Sequence, residues 1–178
     1  FNHYGPTETT VGVAVHTISP DDLQHLAIPL TRVLPNNQLF VLNEGLQLVA
    51  CGELGELYIG GQQLCRGYLN DPAQTDAAFI NSPFNPGERL YRSGDLARYL
   101  PQGGIALYGR RDHQVKVRGF RIELAEIEQQ LLRVPGVSEA VVLLAHDDLV
   151  AFVLPSQDAP ADWLQNLKQQ MAERLPAV

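Results

Sequence analysis

Tyr4, Thr7 and Glu8 crowd into the string Asn-His-Tyr-Gly-Pro-Thr-Glu at positions 2–8. Each offers a different handle for a ligand that carries both a base and phosphates. Tyr4 has a flat face on which a base can stack. Thr7 supplies a hydroxyl, and Glu8 supplies hard carboxylate oxygens suited to Mg2+. Gly5 lets backbone approach a ligand, and Pro6 stiffens the bend. The same residues also read as a surface turn with a tyrosine plug. Asp95 follows a glycine in Tyr-Arg-Ser-Gly-Asp-Leu at 91–96. There it can accept two hydrogen bonds from a ribose diol or simply shape a turn. Arg110 can donate to a ribose or phosphate oxygen. Asp112 can be a hinge that absorbs a backbone rotation. Both also fit a solvated charge run. Lys116 can act in catalysis or brace a hairpin. Gly119, at the hairpin tip, can let a ligand or partner pass close to backbone.

The elements that must hold these residues change character along the chain. The segment 2–8 reads as a turn, 10–15 as a short strand, 38–42 and 55–60 as strands, and 46–50 as an apolar stretch. A short helix is expected over 71–79, with Asp71 as its cap ahead of Pro72. Residues 90–92 and 97–99 flank a Ser-Gly-Asp turn, and 104–109 alternates like a strand. Many short strands without a long helix predict a barrel or small twisted sheet. After Asp112 a hairpin is expected over 115–122, a helix over 123–134, strands over 137–145 and 149–154, and a helix over 161–175. Leu124, Ile127, Leu131 and Val134 repeat at helical spacing, with Pro135 and Gly136 as the stop. The fold class is therefore mixed α/β (α+β): a β-rich part over 1–111 and a compact α+β part over 112–178.

Bulk properties exclude several classes. A net charge of -7 is wrong for a nucleic-acid binder. No apolar run approaches a membrane span, and no leader is visible. Cys51 and Cys65 form neither a CxxC nor a metal spacing, which suits a reducing cytoplasm, and the five histidines form no ligand pattern.

Four strings occur in one order: residues 2–8; Gly-Glu-Leu-Tyr-Ile-Gly at 55–60 with Arg-Gly-Tyr-Leu at 66–69; residues 91–96; and 109–128, which ends in Arg-Ile-Glu-Leu-Ala-Glu-Ile-Glu. Together they resemble the adenylation domains of nonribosomal peptide synthetases, within the acyl-adenylate-forming superfamily. The resemblance implies the barrel portion of the large adenylation subdomain followed by a small mobile subdomain. It implies a two-step reaction. An amino acid and ATP give an aminoacyl-adenylate, and the aminoacyl group then moves to a phosphopantetheine thiol on a peptidyl carrier protein. By position, Tyr4 stacks on adenine with Asn2 nearby, Thr7 contacts phosphate, Glu8 binds Mg2+, Asp95 holds the ribose hydroxyls and Arg110 reaches the nucleotide. Asp112 becomes the hinge, and Gly119 faces the pantetheine tunnel.

His3, Val11 and Gly12 correspond to the family's specificity pocket. A histidine beside a space made by glycine can pair with a side-chain carboxylate, which gives an expectation of aspartate or β-hydroxyaspartate. The sequence departs from the family at Thr31 and Val33 (usually Gly and Pro), at Gln63 (usually Gly) and at Ala125 (usually Gly). The family's Gly-rich Ser/Thr loop and its tail lysine are not among these residues. The chain alone is therefore expected not to adenylate without the remaining part of the domain. Two alternatives stand beside this reading: an acyl- or aryl-CoA ligase fragment, which the 121–128 string disfavours, and a non-catalytic module that docks a carrier protein.

Overall fold

The computed structural model describes residues 1–24, 27–112, 114–117, 120–146 and 148–174, without the side chains of Leu23, Lys116 and Arg121. The chain divides into two compact units, Phe1–Arg111 and Asp112–Val178.

In the first unit, strands β1 (Asn2–Tyr4), β2 (Ala14–His16) and β3 (Arg32–Val33) form one small antiparallel sheet. A second sheet runs β4 (Asn37–Leu42), β5 (Gly55–Gly61), β7 (Arg89–Tyr99) and β6 (Phe79–Asn81), with β8 (Ile105–Arg110) also on β7. A bridge between Leu30 and Ile105 ties the loop before β3 to β8. Strand β5 is paired on both edges and buried on both faces, so Leu57, Tyr58 and Ile59 are all inside. Around Leu57 and Ile59, Tyr4, Val13, Val41, Phe79, Tyr91 and Ile105 close the core, while Tyr58 packs with Leu42 and Leu90. Helix α1 (Pro72–Ala78) starts as expected: Asp71 accepts from the Gln74 amide at 2.9 Å.

Three local expectations are corrected. Residues 2–4 form a strand, because their backbone pairs with β2, and only Thr7–Thr9 make a turn of 3-10 helix. The strand expected over 10–15 begins only at Ala14. Thr10 and Val11 take left-handed backbone, with φ of 58° and 67°, which breaks the run of valines. The Ser-Gly-Asp segment does not reverse the chain. Strand β7 runs straight through it, held by β5 along one edge and by β6 and then β8 along the other. The extra residues form a bulge where the partner changes, and Gly94 at φ +76° supplies it. The stretch 46–50 contributes only a bridge from Leu48 to Leu42.

The second unit holds hairpin β9 (Gln114–Val117) with β10 (Phe120–Glu123), helix α2 (Leu124–Leu132), hairpin β11 (Val137–Ala145) with β12 (Asp148–Pro155), and helix α3 (Trp163–Arg174). Leu124, Leu131, Val134, Val142 and Leu167 form its core. Glu128 in α2 accepts from the Val142 amide at 2.9 Å, which fixes helix against strand. Alternation in β11 turns Val142 inward while Val141 and Leu143 stay exposed. The hairpin tip at Arg118 and Gly119, and Leu175, lie outside the described residues.

Candidate functional site

The bulge in β7 is the centre of the arrangement. Ser93 anchors it by donating to the Leu57 carbonyl at 2.6 Å, and its hydroxyl accepts from the Asp95 amide at 3.1 Å. Asp95 sits opposite Arg110 of β8 in register. Its Oδ1 accepts from Arg110 Nη1 at 2.9 Å, and its Oδ2 accepts from the Tyr4 hydroxyl at 2.5 Å. Tyr4, Asp95 and Arg110 are thus brought together from β1, β7 and β8.

This cluster is largely enclosed. Asp95 and Arg110 side chains are 15% and 18% exposed, and the Tyr4 ring is almost wholly buried in the core. Burial, and then the Asp95 carboxylate beside it, pushes the Tyr4 phenol well above its ordinary range. Tyr4 therefore stays protonated at neutral pH and keeps donating. The arrangement leaves a fixed anion between a neutral donor and a cation, a geometry that can accept from hydroxyls and orient a cation toward an anionic ligand.

Glu8 is buried at the 3-10 turn, and its Oε1 accepts from the Tyr68 hydroxyl at 2.7 Å. Burial, followed by that bond, raises the Tyr68 phenol far above its usual range. The Glu8 carbonyl also accepts from the Cys65 amide at 2.8 Å, so the segment 65–68 braces Glu8 at two points. Thr7 is exposed at the same turn. Asn2 directs its amide to the Ile28 and Pro29 carbonyls, both at 3.4 Å.

Gly5 has a different role from the one its type suggests. A Cβ there would lie 2.3 Å from the Val11 carbonyl oxygen, so the close approach it permits is to the chain's own loop. Gly12 does make space for His3: a Cβ there would lie 2.2 Å from His3 Nε2. His3, Val11 and Gly12 therefore form one patch, with Val11 exposed. The loop between them is pinned by Gln63, which sequence reasoning marked only as a departure. Its amide nitrogen donates to the Gly12 carbonyl at 2.8 Å and the Thr9 carbonyl at 3.1 Å, while its oxygen accepts from Asn37 at 3.2 Å. Thr31, another departure, lies with its hydroxyl 2.8 Å from His16 Nδ1, and His16 Nε2 lies 3.0 Å from Asp22.

In the second unit Asp112 is the first residue, and its Oδ1 accepts from the Gln114 amide at 3.2 Å. Lys116 is in β9, paired with Arg121, but its side chain is outside the described residues, as is Gly119. Among the described residues no group of three or more His, Cys, Asp or Glu is placed to hold a metal. Sequence reasoning also missed Tyr68 and Gln63 as braces. Tyr68 lay in a string marked for its part in the family resemblance, and nothing local to either residue signals a partner so distant in sequence.

Comparison with known proteins gives concordant results. Residues 1–69 match the AMP-binding enzyme family, and residues 126–178 match the AMP-binding enzyme C-terminal domain. Tyrocidine synthase 1 of Brevibacillus parabrevis is 43% identical over 99% of this chain, which spans 16% of that protein. The solved structure of PA1221, a nonribosomal peptide synthetase protein containing adenylation and PCP domains, superposes with a TM-score of 0.79. It is 34% identical, over 93% of this chain and 35% of that one. The Vibrio cholerae adenylation domain AlmE, solved with glycyl-adenosine-5'-phosphate, also gives a TM-score of 0.79, at 36% identity over 95% of this chain and 34% of that one. The chain belongs to the AMP-binding, adenylate-forming enzymes and carries part of a nonribosomal peptide synthetase adenylation domain.

Proposed function

We propose that this chain forms part of a domain that activates an amino acid with ATP and delivers it to a carrier protein. The observation that carries the proposal is the Asp95 carboxylate fixed between the Tyr4 hydroxyl and the Arg110 guanidinium. On this reading Asp95 accepts from the ribose diol and Arg110 donates to ribose or phosphate oxygen. The Tyr4 ring, with Asn2 beside it, borders the adenine, and Gly5 shapes the loop that carries Thr7 and Glu8 to the phosphates. One buried carboxylate such as Glu8, bonded to Tyr68, would suit Mg2+ in the way that ion usually binds, with phosphate and water as its other ligands. Glu8, whose Oε1 is held by the Tyr68 hydroxyl, would be the residue to hold Mg2+, and the ion when bound would supply charge neutralisation on the phosphates.

In the first step the amino acid carboxylate attacks the α-phosphorus and pyrophosphate leaves. In the second a thiol sulfur attacks the acyl carbonyl and AMP leaves. The thiol belongs to phosphopantetheine on a peptidyl carrier protein. Positioning and electrostatics account for most of the rate in such transfers. Residues 1–111 act as the barrel portion of the large subdomain, and residues 112–178 as the small subdomain that turns about Asp112. Lys116 serves the reacting groups, and Gly119 lies on the hairpin that borders the pantetheine. His3, Val11 and Gly12 select the amino acid, and His3 favours aspartate or β-hydroxyaspartate. This chain supplies only part of the cradle and does not complete the reaction alone. The unpaired Cys51 and Cys65 suit a cytoplasmic enzyme.

The test is amino-acid-dependent exchange of pyrophosphate into ATP by the whole synthetase. Exchange stimulated by aspartate, and lost in Asp95→Ala, is the expected result. Exchange that favours a neutral amino acid removes the His3 assignment. Carrier binding without nucleotide binding points to the docking-module reading instead.

A further inference from the structure

We infer that Arg111 is a positioning residue that ends the first unit rigidly and so sets where the turning motion begins. The inference rests on the adenylation reading and on the hinge at Asp112. Arg111 is the last residue of its unit. Its backbone amide donates to the Gly94 carbonyl at 2.8 Å, which extends the β7–β8 contact one residue past Arg110. Its guanidinium spans two carboxylates: Nη2 lies 2.9 Å from Glu44 Oε1, and Nη1 lies 3.3 Å from Glu56 Oε2.

Both carboxylates stand on well-held backbone. Glu56 is buried in the central strand β5 and also accepts from Arg92, through Nε at 2.8 Å and Nη2 at 3.1 Å. A buried carboxylate needs its cations, so Glu56 is a fixed post. Glu44 lies in a turn whose Gly45 and Gln47 amides both donate to Asn43 Oδ1 at 3.0 Å. Adjacent arginines thus divide the work. Arg110 reaches Asp95, while Arg111 reaches Glu56 and Glu44. The same Gly94 bulge that presents Asp95 also receives the Arg111 amide. Rotation about residue 112 then starts from a stationary point that abuts the nucleotide cluster.

The experiment uses the whole synthetase with its carrier, as wild type, Arg111→Met, Arg111→Lys and Glu44→Gln. Hydrogen exchange at the Arg111 amide, single-turnover carrier loading and the KM for ATP are measured. Arg111→Met is expected to speed amide exchange and slow loading by about fivefold each, the scale of a half-exposed ion pair, with the ATP KM unchanged. Arg111→Lys restores part of both, and Glu44→Gln shows a smaller change in the same direction. Unchanged amide exchange in Arg111→Met overturns the inference. So does faster exchange with normal loading, or a raised ATP KM as the main effect. If wild type shows no amino-acid-dependent pyrophosphate exchange, the adenylation reading fails instead, and the amide measurement still reports on the clamp.

Discussion

Removing one oxygen from Tyr4 tests the cluster at its most enclosed bond. Tyr4→Phe keeps the buried ring and deletes only the donor that meets Asp95 Oδ2 at 2.5 Å. Asp95→Asn removes the charge that this donor and Arg110 share. A hydrogen bond to a charged group is worth about 1.5–3 kcal/mol. Asp95 is 15% exposed, so some water reaches the site, and the lower half of that range, about 1.5–2 kcal/mol, is expected as coupling in a double-mutant cycle. Urea unfolding of the wild type, both single variants and the double variant gives this coupling. The two units have separate probes: all 6 tyrosines precede Asp112, and the 1 tryptophan, Trp163, follows it. The tyrosine near-ultraviolet signal therefore reports the relevant unit. Coupling below about 0.5 kcal/mol, the scatter of independent sites, would refute the reasoning. The pH dependence has a defined sign. The Tyr4 phenol is raised in the folded state, so its contribution is full below the ordinary phenol value near 10 and fades as pH climbs past it. Tyr4→Phe should lose less stability above about pH 10 than wild type does.

Other outcomes follow from the same geometry. Gly5→Ala should cost about 2–3 kcal/mol by urea unfolding, because its Cβ meets backbone at Val11 and Gly12, whereas Gly12→Ala should cost under about 1 kcal/mol, because the exposed His3 ring can yield. Gly12→Ala should nonetheless change which amino acids support pyrophosphate exchange in the whole synthetase. The Asp22 carboxyl is held well below the usual range, first by His16 and then by the Ser19 amide and hydroxyl. Its contribution is present above its ordinary value and lost as pH falls below about 4, so Asp22→Asn should flatten the acid side of a stability–pH curve. Leu131→Ala, in the core of the second unit, should cost about 2–5 kcal/mol as read by Trp163 fluorescence, with the tyrosine transition little changed.

Much of the second unit was legible because its signals are local. The helical spacing of Leu124, Ile127 and Leu131 and the stop at Pro135 and Gly136 sit within one segment, and α2 ends at Leu132, two residues short of the expected Val134. Asp71 before Pro72 likewise fixed the start of α1. The first unit was harder. Whether Ser93-Gly94-Asp95 turns the chain or bulges within a strand depends on which strands flank it, and β5 lies more than thirty residues away in sequence. The valines after Thr10 looked like a strand because their type favours one; only Val15 joins β2, and the loop through Val11 is set by Gln63 and Gly5. The chemical types at Tyr4, Asp95 and Arg110 were readable, but the phenol–carboxylate bond was not, since only folding brings β1 beside β7.

Thr10 and Val11 hold left-handed backbone that β-branched residues seldom adopt. Each such residue costs on the order of 1–3 kcal/mol. Glycine or asparagine at position 11 would release that tension and raise the melting temperature. On the proposed reading that Val11 borders the amino-acid pocket, the same exchange would also loosen that border. Thermostability and discrimination are therefore opposed at this one position, and a hardened variant obtained by changing Val11 should accept a broader range of amino acids.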